Sequence, residues 1–166
     1  MNKIKQTSGD KVKGNLVKYR QGDCLSIDCG NGKYLGVLIS NKFNKYYDLT
    51  LIDFYESHKS CLTDFINGKF FGTRFGSWDE LTYAVNVRMI ECKYVDNCVK
   101  IEKVASVKLT SNFIEDGYAY LDDIEQLKKH YLEELPIRIE KSKNAQKFPD
   151  LAFASKHLVD FKHIVE

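Results

Sequence analysis

Apolar and polar residues alternate most clearly near the start of the chain, over residues 24–29. A period of two residues is typical of a strand with one buried face. The glycine-rich triplet 30–32 follows, and its residues accept the backbone angles of a tight turn. Residues 33–39 and 46–55 repeat the strand pattern on either side of a polar loop. The pattern therefore predicts an antiparallel meander of three strands.

The middle of the chain has a less regular pattern. Its strongest feature is the alternation over 81–94, which predicts a strand with a bulge at Ile90. Glycines interrupt residues 71–76, so a loop is expected there. The remaining expectations for this region are a short helix over 61–66 ended by Asn67-Gly68, a turn at 95–97, and strands over 99–101 and 104–109.

Beyond residue 110 the apolar residues are spaced three and four apart, which is the period of a helix. This spacing predicts a helix over 121–135, with acidic residues at its start and Pro136 at its end. A brief strand at 137–139 and a final helix over 149–165 are expected to follow.

Together these elements predict a single domain of the α+β class over residues 1–166. Residues 1–13 are expected to form a loose basic arm, 15–109 to be mainly β-structure and 110–166 to be mainly helical. We expect a strongly bent antiparallel sheet or a small SH3-like β-barrel, with two or three C-terminal helices packed on it. A chain of 166 residues, 43% of them hydrophobic, is long enough for one such core.

Charge narrows the functional classes. The formal net charge is only +2, whereas a protein that binds nucleic acid over its whole surface is usually strongly basic. The first twenty residues carry a net charge of +5, and a second basic stretch contains Lys141, Lys143 and Lys147. Lysine greatly outnumbers arginine in this chain, and arginine is the main side chain for recognising bases and phosphates. Nucleic-acid binding is therefore the alternative and not the leading hypothesis.

The sequence carries no signal for export or membrane insertion. No apolar run follows the lysines near the N-terminus, and no stretch of about 18 apolar residues is present. Five cysteines, an odd number, favour reduced thiols and a cytoplasmic protein. A disulfide between Cys92 and Cys98, across a hairpin near Val95, remains open at this point.

Motifs for a catalytic nucleophile, a phosphate-binding loop or a dinucleotide are absent from the sequence. The last predicted helix carries His157, Asp160 and His163 at three-residue steps. On a helix these side chains spread over about 120° and do not converge on one ion. We therefore predict no metal, no cofactor and no catalytic residue.

Acidic residues and tyrosines occur together in the last third of the chain. Carboxylates steer the approach of a basic partner, and tyrosines provide rigid contact area. The competing interpretation is an acidic helix start with its tyrosines packed inward. We expect a partner-binding surface formed by Glu115, Asp116, Tyr118, Tyr120, Asp122, Asp123 and Glu125.

One part of the chain resembles a known family. Residues 21–27 read Gln-Gly-Asp-Cys-Leu-Ser-Ile, residues 30–38 read Gly-Asn-Gly-Lys-Tyr-Leu-Gly-Val-Leu, and residues 52–55 read Ile-Asp-Phe-Tyr. This succession is similar to the N-terminal part of immunity protein family number twenty-six from bacterial polymorphic-toxin systems. It departs from that pattern at residues 28–29, where Asp-Cys stands in place of the proline that the family often has. The resemblance implies a small cytoplasmic protein that binds a cognate toxin and blocks it stoichiometrically, without catalysis.

The leading hypothesis is therefore a non-enzymatic immunity-type binding protein, with a cognate toxin as its partner and no membrane association. An SH3-like nucleic-acid-binding module is the alternative, and its affinity should fall steeply with salt. A small enzyme that brings Cys24 or Cys61 together with His58 is the weaker alternative, which needs a cysteine of low pKa. The oligomeric state is not determined by the sequence.

Overall fold

The computed structural model describes residues 17–77, 80–117, 119–137, 140 and 158–166. These residues contain nine strands: β1 Asp23–Asp28, β2 Tyr34–Phe43, β3 Tyr46–Glu56, β4 Lys69–Ser77, β5 Glu80–Glu91, β6 Ile101–Ser106, β7 Phe113–Asp116, β8 Tyr120–Leu121 and β9 Leu158–Asp160. Their helices are α1 Leu62–Ile66, α2 Cys92–Asp96 and α3 Ile124–Lys129, followed by a π-helical turn His130–Glu134 and a 3-10 turn Phe161–Ile164. The expected α+β class is confirmed.

The strands form one mixed sheet in the order β6-β1-β2-β3-β4-β5-β7. The pairs along β1, β2 and β3 are antiparallel, as expected for a meander. In contrast, β7 and β8 both pair in parallel with β5, and β9 pairs with β4. Among the described strands the sheet is not closed into a barrel, and β6 and β7 are the first and last strands in this order.

Both faces of the central strands are buried. In β1, Leu25 lies in one hydrophobic core and Cys24 lies in another. The first core is covered by Leu127 of α3, and the second is covered by Phe65 of α1 and Phe161 of the 3-10 turn. The expectation that β1 is half buried is therefore wrong, because helical segments and turns cover both sides of the sheet. A strand that is buried on both faces accepts small polar side chains only where hydrogen-bond partners are available for them.

Residues 71–76 are part of β4 and not a loop. Gly72 is opposite Val85 in the β4–β5 ladder, and a Cβ atom at Gly72 would overlap the Ala84 carbonyl oxygen and the Phe70 ring. The glycine therefore permits a close approach of two strands, which a sequence pattern alone does not distinguish from a loop.

The end of β5 also differs from expectation. The strand stops at Glu91 with a continuous register through Ile90, so it has no bulge there. A helix, α2, replaces the expected hairpin, and one strand, β6, replaces the two expected over 99–109. Cys92 and Cys98 are both free thiols, so they do not form a disulfide.

The C-terminal third contains more strand than expected. The helix over 121–135 is confirmed in its main part, but it continues through Pro136 to residue 137. The expected final helix is wrong at 158–164, where β9 and the 3-10 turn lie, because Val159 pairs with Phe70 of β4.

Some expected features fall outside the part of the chain that the structure describes. The basic arm over 1–13 and residues 149–157 of the expected final helix belong to this group. Residues 17–20, at the start of the stretch expected to be mainly β-structure, do not form a strand. No described helix is both long enough and apolar enough to cross a membrane.

Candidate functional site

The sheet divides the expected partner-binding surface between its two faces. Glu115 is paired with Val85 and Tyr120 with Met89, which places both on the face of the second core. Asp123 and Glu125 lie instead at the start of α3, which packs on the first core. Tyr118 lies outside the described residues. Among the described residues, Glu115 and Tyr120 therefore lie on a different face of the sheet from Asp123 and Glu125.

Three aromatic residues lie close together at one end of the sheet, and we call them the aromatic patch: Phe43, Tyr46 and Tyr120. Phe43 and Tyr46 are directly opposite each other across the β2–β3 hairpin. The turn between them contains Asn44 at φ 57°, a left-handed conformation that asparagine tolerates. The Tyr46 and Tyr120 rings meet edge to face, with centroids 5.3 Å apart. Phe43 and Tyr120 are each 66% exposed, so this cluster presents apolar area to solvent.

Charges of both signs border the aromatic patch. Lys45 lies 5.7 Å from the centroid of the Tyr46 ring. Its ammonium is also 3.9 Å from a carboxylate oxygen of Glu91, and Lys93 approaches the same oxygen at 3.5 Å. Exposed pairs of this kind contribute little to stability. Glu91 is the cross-strand partner of Tyr46, so it lies at the border of the patch.

A buried carboxyl group lies two residues along β3 from Tyr46. Asp48 is only 2% exposed, and hydrogen bonding to the half-buried Glu115 of β7 is one cause of the raised pKa of Asp48. The fully buried Ser40 hydroxyl lies 2.7 Å from Glu115 Oε2 and donates to it. A hydrogen bond between two carboxyl groups needs one shared proton, because an ionised carboxylate accepts but cannot donate.

The environment of Asp48 favours its protonated form. Burial, the hydrogen bond to Glu115 and the negative charge of Glu115 together raise the pKa of Asp48 to about 7. Glu115 accepts a hydrogen bond from the Ser40 hydroxyl. Asp48 therefore keeps its proton to a higher pH than an exposed aspartic acid does.

The acidic residues at the start of α3 have structural roles. Asp123 is the N-cap, and its Oδ1 accepts from the Gln126 amide at 2.9 Å. Gln126 in turn accepts from the Asp122 amide and donates to the Asp122 carboxylate. The competing interpretation, an acidic helix start, therefore describes Asp122 and Asp123 at least in part.

Two shallow clefts, of about 320 and 220 Å³, share Asp28 and Lys100 in their walls. The smaller one is also lined by Asp123, Glu125 and Lys128. Lys128 and Glu125 form an ion pair at 2.8 Å. Because both clefts carry charges of both signs, they do not define one class of ligand.

The residues of the weaker enzymatic alternative are not arranged as a catalytic pair in the described contacts. Cys24 is fully buried. Its burial, and to a smaller extent the negative charge of Asp23, raises the pKa of its thiol to about 12. His58 Nδ1 contacts the Lys59 carbonyl oxygen at 3.0 Å. Cys61 is exposed and precedes α1. Cys24 is therefore not the low-pKa nucleophile that this alternative requires.

The expected basic and metal-related residues lie partly outside the described residues. These include Lys141, Lys143, Lys147 and His157. Asp160 forms an ion pair with Lys69, and the His163 ring stacks on Tyr83 at 4.7 Å. No group of three His, Cys, Asp or Glu side chains suited to a metal ion occurs within the described residues.

No protein family model, curated protein or solved structure matches this chain. Sequence reasoning identified Tyr120 but missed Phe43, Tyr46 and the Asp48–Glu115 pair. A signal was present for Phe43 and Tyr46, because two aromatic residues flank a two-residue hairpin turn. No local signal placed Asp48 beside Glu115, since they are far apart in the sequence and meet only through the sheet.

Proposed function

We propose that the chain is a non-enzymatic binding protein of the immunity type, which neutralises a cognate bacterial toxin by stoichiometric binding through the aromatic patch. The observation that carries this proposal is that Tyr46 lies opposite Phe43 in the hairpin and against the Tyr120 ring, with Phe43 and Tyr120 largely exposed. Exposed aromatic groups of this kind lose contact with water when a partner covers them. Tyrosine is also enriched among the residues that dominate binding energy.

Carboxylates near the patch can attract basic side chains of a partner, in competition with Lys45 and Lys93, which already approach Glu91. Glu91 lies beside Tyr46 in the β3–β5 ladder, and Asp122 follows Tyr120 closely in the chain. Carboxylates at the rim speed the approach of a basic partner. The exposed Tyr120 ring can receive a cation on its face. The partner surface we propose therefore carries apolar side chains that bury Phe43, with charged groups of both signs around them.

The proposal is tested with the protein encoded by the gene next to this chain, expressed alone and together with it. We expect the neighbouring product to be toxic alone, and we expect co-expression to restore growth. The purified pair should elute as a stable stoichiometric complex in size-exclusion chromatography. A harmless neighbouring product, or a toxic one that this chain neither binds nor inhibits, would contradict the proposal.

The contact surface is tested separately by replacing Phe43 and Tyr120 with alanine together. Loss of two exposed aromatic anchors should weaken binding about tenfold or more and leave the melting temperature nearly unchanged. Val99→Ala is the matched control, because Val99 is an exposed apolar residue in the wall of the larger cleft. Equal affinities for the double variant, the control and the unaltered protein would place the contact elsewhere.

A further inference from the structure

The edge strands β7 and β8 both follow β5, with a change of register between them. Asp116, the last residue of β7, lies opposite Asn86, whereas Tyr120, the first residue of β8, lies opposite Met89. Two residues of β5 separate these positions, but three residues separate them along the edge. The edge therefore carries one residue more than its partner strand, and such an extra residue is a β-bulge.

The extra residue decides which face of the sheet Tyr120 occupies. Side chains alternate between the two faces of a regular strand, so residues an odd number apart point to opposite faces. Glu115 and Tyr120 are five residues apart, yet both lie on the face of the second core. Without the extra residue, Tyr120 would lie opposite Ile90, which is buried in the first core. The bulge therefore brings the Tyr120 ring to the face where Tyr46 lies.

The Arg88 side chain of β5 bridges the two strands at the bulge. Its Nη1 donates to the carbonyl oxygen of Val87 at 2.9 Å and to that of Gly117 at 2.6 Å. The same nitrogen donates to Asn86 Oδ1 at 3.0 Å, beside the end of the β5–β7 ladder. Arg88 is buried, and a charged donor forms stronger hydrogen bonds than a neutral one. The guanidinium therefore connects the strands where a bulge disrupts the ladder.

The backbone of the edge fits this bridge. Gly117 has φ 67°, in the left-handed region that glycine adopts readily. A Cβ atom at this position would overlap the Asn86 side-chain amide. Beyond the bulge, the Met89 amide donates to the Ala119 carbonyl oxygen at 2.8 Å. The edge is therefore bonded to β5 on both sides of the register change.

We propose that Arg88 and Gly117 are positioning residues of the aromatic patch, which hold the bulge that turns Tyr120 toward Tyr46. Loss of the guanidinium removes its hydrogen bond to the Gly117 carbonyl oxygen. A slip of β8 by one residue then carries the Tyr120 ring to the opposite face of the sheet. The effect on partner binding rests on the proposed function, whereas the position of Tyr120 is a property of the isolated protein.

NMR of the isolated protein tests this inference through nuclear Overhauser effects between the Tyr46 and Tyr120 rings. The unaltered protein should show these effects, because the ring centroids are 5.3 Å apart. Arg88→Met should lose them, since methionine fills apolar space but has no N–H donor. Gly22→Ala is a control for lowered stability, because it strains another glycine of positive φ, beside Val107, and should keep the ring contact.

Two variants of Gly117 test the backbone conformation separately. Gly117→Asn and Gly117→Val both add a Cβ atom that displaces the Asn86 amide. Asparagine tolerates positive φ, whereas a β-branched residue does not. Gly117→Asn should therefore keep the ring contact and Gly117→Val should lose it. Retention of the contact in Arg88→Met or Gly117→Val, or its loss in Gly117→Asn or Gly22→Ala, would overturn the proposal.

Binding to the product of the neighbouring gene gives a separate measurement. Arg88→Met should weaken that binding as much as Tyr120→Ala does, although Arg88 is only 7% exposed and offers almost no surface to a partner. Unchanged affinity in an Arg88→Met protein that has lost the ring contact would contradict the proposed contact surface and not the bulge. The NMR result uses no partner, so failure of the proposed function and failure of this inference are distinguishable.

Discussion

The N-cap of α3 provides a sharp test of the roles of the acidic residues. Asp123 has an extended backbone, at φ −162°, and its carboxylate accepts from the Gln126 amide at 2.9 Å. The helix that it starts inserts Leu127, which is fully buried, into the first core. Replacing Asp123 with lysine removes this hydrogen bond and places a positive charge at the positive end of the helix dipole.

The two effects are estimated separately. Loss of an N-cap hydrogen bond costs about 1 kcal/mol. An unfavourable charge at the end of the helix dipole adds roughly 0.5 kcal/mol. In a domain of this size, 1 kcal/mol changes the melting temperature by about 2–4 °C. Asp123→Lys should therefore lower the melting temperature by about 3–6 °C.

Thermal and urea unfolding of three variants check this estimate. Asp123→Asn keeps an acceptor at the cap and should remain close to the unaltered protein. Asp123→Ala should lose the hydrogen-bond contribution alone, and Asp123→Lys should lose the most. If all three variants unfold with the unaltered protein, the capping argument is refuted. Partner binding would then be the better explanation for the acidic side chain at position 123.

Three further perturbations test the core and the thiols. Gly22→Ala should destabilise the protein by about 2 kcal/mol or more in urea unfolding. The reason is that Gly22 has φ 94° and that a Cβ atom there would overlap the Val107 carbonyl oxygen. Unchanged stability of the variant would contradict this packing. Phe161→Ala should cost about 3–5 kcal/mol in the same assay, since the ring is fully buried in the second core, and a loss below 1 kcal/mol would argue against it. A thiol reagent should modify exposed Cys61 in the native protein but reach Cys24 only on unfolding, and rapid native modification of Cys24 would refute its burial.

The sequence predicted the first three strands because their signals are local. The alternation begins at Leu25, and the glycine-rich turn at 30–32 has positive φ at Gly30 and Gly32. Their register places Leu25 opposite Val37, as a direct meander requires. Burial of the second face was not predictable in this way, since Phe65 and Phe161 come from distant parts of the chain.

The failures share a physical cause, which is dependence on distant partners. Gly72 looks like a loop residue until Ala84 is placed against it. Leu158 and Phe161 have helical spacing, yet Leu158 lies opposite Phe71 in a strand pair. Parallel pairing of β7 with β5 leaves no short-range signal, because nothing in the local sequence sets its register.

The candidate site was recoverable in part for the same reason. Tyr120 stood out through its acidic neighbours, whereas Phe43 and Tyr46 become important only when the hairpin pairs them and β8 places the Tyr120 ring against Tyr46. Asp48 lies between buried Tyr47 and Leu49 in a strand. That position marks a buried acid, but the sequence does not identify Glu115 as its partner.

These placements change how binding by this chain should be examined. Charge reversal over 115–125 mixes two effects, because Asp123 caps α3 and Glu115 accepts a hydrogen bond from the buried Ser40 hydroxyl. A loss of binding in such variants has a folding explanation as well as a contact explanation. Phe43 and Tyr120 are free of that ambiguity, since most of each ring is exposed and truncation removes little packing. Binding that depends on these two rings, in a protein whose stability does not, would separate the contact surface from the fold.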